Sequence, residues 1–142
     1  MNKDNLDKFE FLIGDWNMES RIPKSIFSDP GNDTGVGSFK KILNDKYVLF
    51  EYSANSGGEA KGIFAWDEKI KMFRYWWFEN SGNFSAATCN FINDETLAMN
   101  WHDALFVQTF TKETPDKVVL KMQHPADRGG YELVLEVIFT KR

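Results

Sequence analysis

The stretch Phe11-Leu12-Ile13-Gly14-Asp15-Trp16 marks the point where the hydrophobic pattern of the chain changes. Before it, apolar residues recur at three- and four-residue steps over residues 5–13, which predicts a helix of one to two turns that Gly14 ends. After it, Trp16 and every second residue up to position 22 fall on one face, which predicts a strand over residues 15–22. The sequence therefore predicts that a β-barrel begins at this step.

Nine further segments with a period of two follow, and polar turns separate most of them. Their predicted bounds are 35–43, 47–55, 59–67, 71–79, 83–92, 96–102, 105–112, 118–124 and 131–140. The segment 24–34 contains Pro30-Gly31-Asn32-Asp33, which predicts a long connection that lies over the open end of the fold as a lid. Short connections favour the pairing of neighbouring strands, and closure removes both exposed edges. We therefore predict an all-β fold, a ten-stranded antiparallel up-and-down barrel with a short N-terminal helix, over the alternative of a sandwich.

Composition and charge narrow the possible functions. A chain of 142 residues is predicted to form one domain, residues 1–142. Its 5 Trp and 13 Phe residues are typical of strands that line or fill a barrel. The net charge of -4 comes from scattered residues, and the only basic pairs are Lys40-Lys41 and Lys141-Arg142. Nucleic acid is therefore not expected as a partner.

The cysteine content and the first residues suggest a location. Cys89 is the single cysteine, so an intramolecular disulfide is excluded. Residues 1–8 lack the apolar run of a signal peptide, and no apolar stretch approaches the ~20 residues of a membrane-spanning helix. We expect a cytoplasmic protein without a membrane span.

Several short motifs resemble those of one group of small bacterial proteins. The residues that carry the resemblance are Phe11-Leu12-Ile13-Gly14-Asp15-Trp16, Lys46-Tyr47-Val48-Leu49-Phe50-Glu51-Tyr52 with Gly57-Gly58, Gly62-Ile63-Phe64-Ala65-Trp66-Asp67, Tyr75-Trp76-Trp77-Phe78 and Glu136-Val137-Ile138-Phe139-Thr140-Lys141-Arg142. In them the chain resembles a calycin-like domain of unknown function that is related to lipocalins and fatty-acid-binding proteins. The resemblance implies a barrel over nearly the whole chain and is almost silent on activity.

The nitrobindins, a related haem-binding group, share the ten-stranded plan and a Gly-x-Trp step near the start. This sequence departs from them after Trp16, where it reads Asn17-Met18-Glu19 in place of a Gly-x-Gly continuation. His102 and His124 are the only histidines that could bind a haem iron. No cofactor is predicted, and haem is kept only as an alternative.

Arg74 is a candidate for contact with a ligand carboxylate, as basic groups are in fatty-acid-binding barrels. It shares a face with Trp76, and Glu51 shares one with apolar residues of its own strand. If both faces point inward, Arg74 meets a ligand or is neutralised by Glu51. The opposite register places Phe73, Tyr75 and Trp77 inside instead, and the pattern does not choose between the two.

His124 follows Val118, Leu120 and Met122 at two-residue steps, which places it on the inward face near a strand end. It is either a ligand contact or, as we favour, a histidine with a hydrogen bond at the barrel rim. The predicted ligand-binding residues are Arg74, Trp76, His124, Tyr131 and Glu51, and no catalytic or metal-binding residue is assigned.

Three other residues are given structural interpretations. We expect Trp16 to fill the floor of the barrel and to pack on Lys141 or Arg142 of the final strand. His102 beside Asp103 is predicted to be a surface or turn histidine, because adjacent strand residues face opposite ways. Cys89 is predicted to be a small buried thiol.

Three functions from different classes remain open at this point. The first is a binding protein that holds a small hydrophobic or amphipathic molecule inside the barrel. The second is an enzyme of the lipocalin-like kind, an isomerase, cyclase or decarboxylase, that uses Glu51, Arg74 and a His or Tyr in a pocket. The third is a barrel filled by side chains that acts as an interaction module or homodimer through an outer aromatic patch.

Overall fold

The computed structural model describes residues 5–142, so residues 1–4 of the predicted domain lie outside the described part of the chain. Each strand pairs antiparallel with the next one along the chain, and the last pairs with the first, which closes the barrel. The predicted ten-stranded up-and-down barrel is therefore confirmed. The strands are β1 (Gly14–Ile22), β2 (Gly31–Ile42), β3 (Tyr47–Ala54), β4 (Glu59–Asp67), β5 (Met72–Glu79), β6 (Phe84–Asn93), β7 (Thr96–Trp101), β8 (Val107–Thr114), β9 (Lys117–Pro125) and β10 (Tyr131–Lys141).

The N-terminal helix ends two residues earlier than predicted and is tighter at that end. Residues 5 and 6 are α-helical, a 3-10 helix, η1, covers Asp7–Phe11, and the backbone nitrogen of Leu12 donates to the Phe9 carbonyl at 2.8 Å. Lys41 holds this helix against the barrel with ion pairs to Asp7 at 3.1 Å and to Glu10 at 2.8 Å. The two carboxylates raise the pKa of the Lys41 amine, with the Glu10 hydrogen bond as the larger cause.

Aromatic side chains fill the lower half of the barrel, the half that contains Gly14 and Lys141. Phe9 of η1 enters from below, and its ring centroid lies 4.8 Å from that of Phe64 and 5.0 Å from that of Phe73. Further up, Phe39 stacks on Phe50 with the centroids 4.3 Å apart. The lower end is thus closed by packed rings. The fully buried large side chains are Leu6, Phe9, Leu12, Trp16, Phe39, Val48, Phe64, Phe73, Leu97, Met99, Phe110 and Phe139.

Trp16 has the structural role that the sequence predicts. Its indole Nε1 donates a hydrogen bond to the Leu12 carbonyl at 2.8 Å, and the Lys141 amine lies 4.6 Å from the ring centroid. The same amine donates to the Ile13 carbonyl at 2.8 Å. Gly14 has a φ of +135°, and a side chain there would lie 2.5 Å from the Lys141 amine, so glycine suits both the turn and the close approach.

The long connection after β1 is shorter than predicted. β2 begins at Gly31 and not at residue 35, so the connection covers residues 23–30. Residues 31–34 join the ladder because β1 runs on to Ile22 and offers them partners, among them Ser20 opposite Asp33. The pairing outweighs the turn-forming composition of the segment. As a result Asp33 stands on a strand, with its side chain on the inner side of the barrel.

Candidate functional site

A cavity of about 350 Å³ occupies the upper half of the barrel, above the packed rings and open at the end where β1 finishes. Its volume falls within the range of about 300–1,000 Å³ that is usual for small-molecule sites. Side chains therefore fill the lower half of the barrel interior, and the upper half contains a cavity. The residues that line this upper cavity are Met18, Ser20, Ile22, Asp33, Phe50, Tyr52, Ala54, Ser56, Gly58, Tyr75, Trp77, Glu79, Trp101, Gln108, Phe110, Leu120, Met122, Leu135 and Val137.

One wall of the upper cavity is a stack of aromatic rings on neighbouring strands. Tyr52 and Trp77 lie nearly parallel, with an interplanar angle of 16° and centroids 5.8 Å apart. Phe50 continues the stack at 6.1 Å from Trp77. Tyr75 and Trp101 meet edge to face at 5.8 Å further round the barrel. These rings give a large, stiff apolar surface to a bound molecule.

Tyr75 and Gln108 are buried residues with polar side-chain groups that line the upper cavity. The Tyr75 ring packs over Gly62, where any side chain would overlap the phenol, and the residue is only 2% exposed. Burial raises the pKa of Tyr75 well above its ordinary value, so the phenol stays protonated. Gln108 accepts from the Trp101 indole at 3.1 Å, while its amide nitrogen reaches only the Met99 sulfur at 3.6 Å.

Two carboxylates stand at the mouth of the upper cavity. The Ser56 hydroxyl donates to Asp33 at 2.5 Å, and this bond is the main reason why the pKa of Asp33 is lowered. Glu79 accepts from the Trp77 indole at 2.9 Å and from the Ser81 hydroxyl at 3.0 Å. Tyr52 lies on β3, between the strand of Asp33 and the strand of Glu79. Burial is the largest cause of its raised pKa, and the negative charges of Glu79 and Asp33 raise the pKa further. The mouth is therefore negatively charged.

Three of the predicted ligand-binding residues lie on the outer face of the barrel. Arg74 donates to Asp67 at 2.7 Å, and Trp76 is 40% exposed. Glu51 forms ion pairs with Lys40 and Lys61 at 3.2 Å each, which lower its pKa, with the Lys61 hydrogen bond as the largest cause. The inward facing that would make Arg74, Trp76 and Glu51 ligand contacts is therefore not adopted.

The opposite register of β5 is the one adopted. Phe73 and Tyr75 are buried in the interior and Trp77 lines the upper cavity. Arg74 and Glu51 also have separate partners, so the suggested pairing between them is wrong. The convergence of Glu51 and Arg74 on which the enzyme alternative depended is not formed.

His124 and Tyr131 lie at the upper rim and do not line the cavity. The Nδ1 of His124 donates to the Pro125 carbonyl at 2.8 Å, which is the rim hydrogen bond that the sequence favours. Its ring contacts Phe27 and Phe106, with centroid distances of 4.7 Å and 5.3 Å. Phe27 belongs to the 23–30 connection, which therefore reaches the rim as predicted but contributes no residue to the cavity wall. Tyr131 is 58% exposed.

Two further residues match their structural interpretations. His102 follows β7 on the surface, where it is exposed beside Asp103. Cys89 is fully buried, and burial raises the pKa of its thiol, so it is not a reactive thiolate. Within residues 5–142, no group of three or more His, Cys, Asp or Glu side chains could hold a metal ion. No helix in that range has the length and hydropathy to cross a membrane.

Sequence reasoning missed most of the cavity residues for identifiable reasons. Both faces of β5 carry aromatic residues, so the pattern places Trp77 inside only in one of two registers. The turn-forming residues around Asp33 predict a connection. Glu79 ends its predicted strand, and its two-residue spacing from Trp77 is the signal that puts both on one side.

Comparison with known proteins gives the fold. No protein-family model matches the chain, and no curated protein matches it either. Among solved structures, Rv2717c from M. tuberculosis matches with a TM-score of 0.66 at 10% identity, covering 97% of each chain. The S-type phycobiliprotein lyase CPES from Guillardia theta matches with a TM-score of 0.52 at 12% identity, covering 96% of this chain and 91% of that one.

A third similar structure is a de novo designed fluorescence-activating β-barrel, with a TM-score of 0.51 at 13% identity over 96% of this chain and 98% of the other. The fold shared with these structures is that of a β-barrel, here closed by ten antiparallel strands. At such low identity the likeness extends to the backbone and not to the side chains of the cavity. The ligand chemistry must therefore be argued from the residues of this chain.

Proposed function

We propose that the protein binds a small hydrophobic or amphipathic molecule in the upper cavity. The observation that carries the proposal is the contrast between the two halves of the barrel. Packed rings fill the lower half, whereas the upper half leaves about 350 Å³ beside aromatic walls and a few polar groups. A purely structural core would be packed to uniform density, so the open upper half favours a bound molecule.

The polar groups of the upper cavity support the proposal. Tyr75 lines the cavity with a protonated phenol, and the Gln108 amide nitrogen has only a weak sulfur acceptor. Buried polar groups are usually hydrogen-bonded, so both groups are suited to orient a ligand.

Binding is tested with N-phenyl-1-naphthylamine, an uncharged fluorescent probe whose emission rises in apolar surroundings. We expect saturable binding of about one probe per chain. Ala54 lines the mouth of the cavity, and Ala54→Phe should weaken binding at least about tenfold, or about 1.4 kcal/mol, because the ring blocks the entrance. Ser53 is exposed on the opposite face of the same strand, so Ser53→Phe serves as the matched control and should leave binding unchanged.

The thermal unfolding midpoints of both variants show whether each still folds. Equal binding by the wild type, Ala54→Phe and Ser53→Phe would place the probe outside the cavity. The absence of saturable binding in the wild type would also overturn the proposal.

A further inference from the structure

The charges around the upper cavity are of one sign. Asp33 and Glu79 are the charged side chains in its wall, and no Lys, Arg or His of the described chain lines it. Several other carboxylates of the barrel have cationic partners, as Glu51 has Lys40 and Lys61. Among the ion pairs within residues 5–142, none includes Asp33 or Glu79. The mouth thus holds two carboxylates that no protein cation neutralises.

Hydrogen bonds keep these two carboxylates in place without neutralising them. Ser56 donates to Asp33, whose other carboxylate oxygen accepts from the Thr34 amide at 2.9 Å. The Trp77 indole and the Ser81 hydroxyl each donate to a different oxygen of Glu79. Neutral donors fix the position of each carboxylate and leave its charge, so both are ready to meet a cation from outside the protein.

The aromatic wall below the carboxylates is suited to the same kind of ligand. Organic cations bind to the faces of aromatic rings, most strongly to Trp, and the attraction increases when water is excluded. Trp77 and Tyr52 both line the cavity and stack on each other, and the Trp77 indole donates a hydrogen bond directly to Glu79. An anionic headgroup at the same place would meet two negative charges and no compensating donor cation.

We infer that the upper cavity selects an organic cation, a molecule with an apolar body and an amine or quaternary ammonium group at one end. The apolar body lies in the cavity against Phe50 and Trp77, and the charge lies at the mouth between Asp33 and Glu79. The inference rests on the proposed function and names its ligand class. It reverses the expectation from fatty-acid-binding barrels, in which a basic residue meets a carboxylate.

The test compares three molecules that share an eight-carbon chain: octyltrimethylammonium, octanol and octanoate. Each is used to displace N-phenyl-1-naphthylamine from the wild-type protein. We expect octyltrimethylammonium to compete at least about tenfold more tightly than octanoate, with octanol between them. Raising the salt concentration should narrow the gap, because ionic screening weakens exposed charge interactions.

Variants that remove a negative charge test whether the preference for the cation depends on the carboxylates at the mouth of the cavity. Glu79→Gln and Asp33→Asn should each reduce the preference for the cation over octanoate about threefold, and the double variant should abolish it. Octanol binding shows in each of the three variants whether the cavity still takes up an uncharged molecule. Glu51→Gln removes one negative charge from the outer face and should leave the preference intact.

The outcomes separate the two proposals. If neither the probe nor octanol binds, the proposed function fails and the inference fails with it. If octanol binds but octanoate competes as well as the ammonium compound, the proposed function stands and the cation inference is overturned. A preference that persists in the double variant would likewise overturn it.

Discussion

Trp16 connects the floor of the barrel to the segment below it. Its indole donates to the Leu12 carbonyl, and the ring is fully buried beneath the Lys141 amine. A buried carbonyl that loses its donor costs about 1–3 kcal/mol. The Gly14-Asp15-Trp16 step therefore acts through hydrogen bonding as well as through the bulk of the ring.

Trp16→Phe should lower the free energy of unfolding by about 2–4 kcal/mol, since it removes this donor and leaves a small void. Trp76→Phe is the matched control, because Trp76 lies on the outer face and is 40% exposed. That change should stay within about 0.5 kcal/mol of the wild type. Urea unfolding measures both values, and equal losses in the two variants would contradict the role of Trp16.

Arg74 stabilises the outer face through Asp67, and the pair predicts a pH dependence. The Arg74 hydrogen bond is the main cause of the lowered pKa of Asp67. A carboxyl with a lowered pKa in the folded state contributes its stabilisation above its unfolded pKa of about 3.9. That contribution is lost as the pH falls through the folded-state pKa.

Arg74→Gln should therefore be less stable than the wild type above about pH 5, and the difference should shrink toward zero in acid. Urea midpoints across the pH range test this, with Arg128→Gln as a control for the loss of a surface positive charge. A difference that does not change with pH would count against the pair. Probe binding should be unaffected, because Arg74 does not line the cavity.

At the scale of elements, η1 closes the lower end of the barrel. Phe9 is fully buried and contacts rings of β4, β5 and β6, among them Phe91 at 5.0 Å. Lys41 secures the helix from β2. Such a short helix has little stability of its own, so its contacts with the barrel must hold it.

Phe9→Ala should lower the free energy of unfolding by about 3–5 kcal/mol, as truncations of buried aromatic residues do. Phe78→Ala is the control, because Phe78 is 52% exposed on the outer face of β5. Urea unfolding gives the stability, and probe titration of the folded variant reports on the cavity. We expect the affinity for the probe to be retained, since Phe9 lies at the opposite end from the upper cavity; a loss of binding would show that the two ends depend on each other.

At the scale of the whole molecule, the strands were more predictable than the site. Alternation and polar turns predict ten strands, because both are local properties of the chain. Only the start of β2 was misplaced by more than two residues, since its first four residues depend on pairing with β1. The barrel itself followed from short connections between neighbours.

The cavity residues could not be chosen by the same reasoning. On β5 both faces are rich in apolar residues, with Trp76 and Phe78 outside and Tyr75 and Trp77 inside, so alternation does not tell the two faces apart. Asp33 on β2 and Glu79 on β5 both act on Tyr52 at the mouth, although β3 and β4 lie between their strands. That proximity is a property of the closed barrel and not of any local pattern.

The junction between β1 and β10 affects how the protein reaches this shape. The Lys141 amine meets the Ile13 carbonyl across 128 positions of the chain, and Trp16 pairs with Lys141 in the ladder. Contacts so distant in sequence slow folding, because loop-closure entropy opposes them until late. During synthesis, one edge of β1 therefore stays unpaired until β10 has emerged from the ribosome. The nascent chain is most exposed to wrong strand pairing in that interval, and it ends when the junction forms.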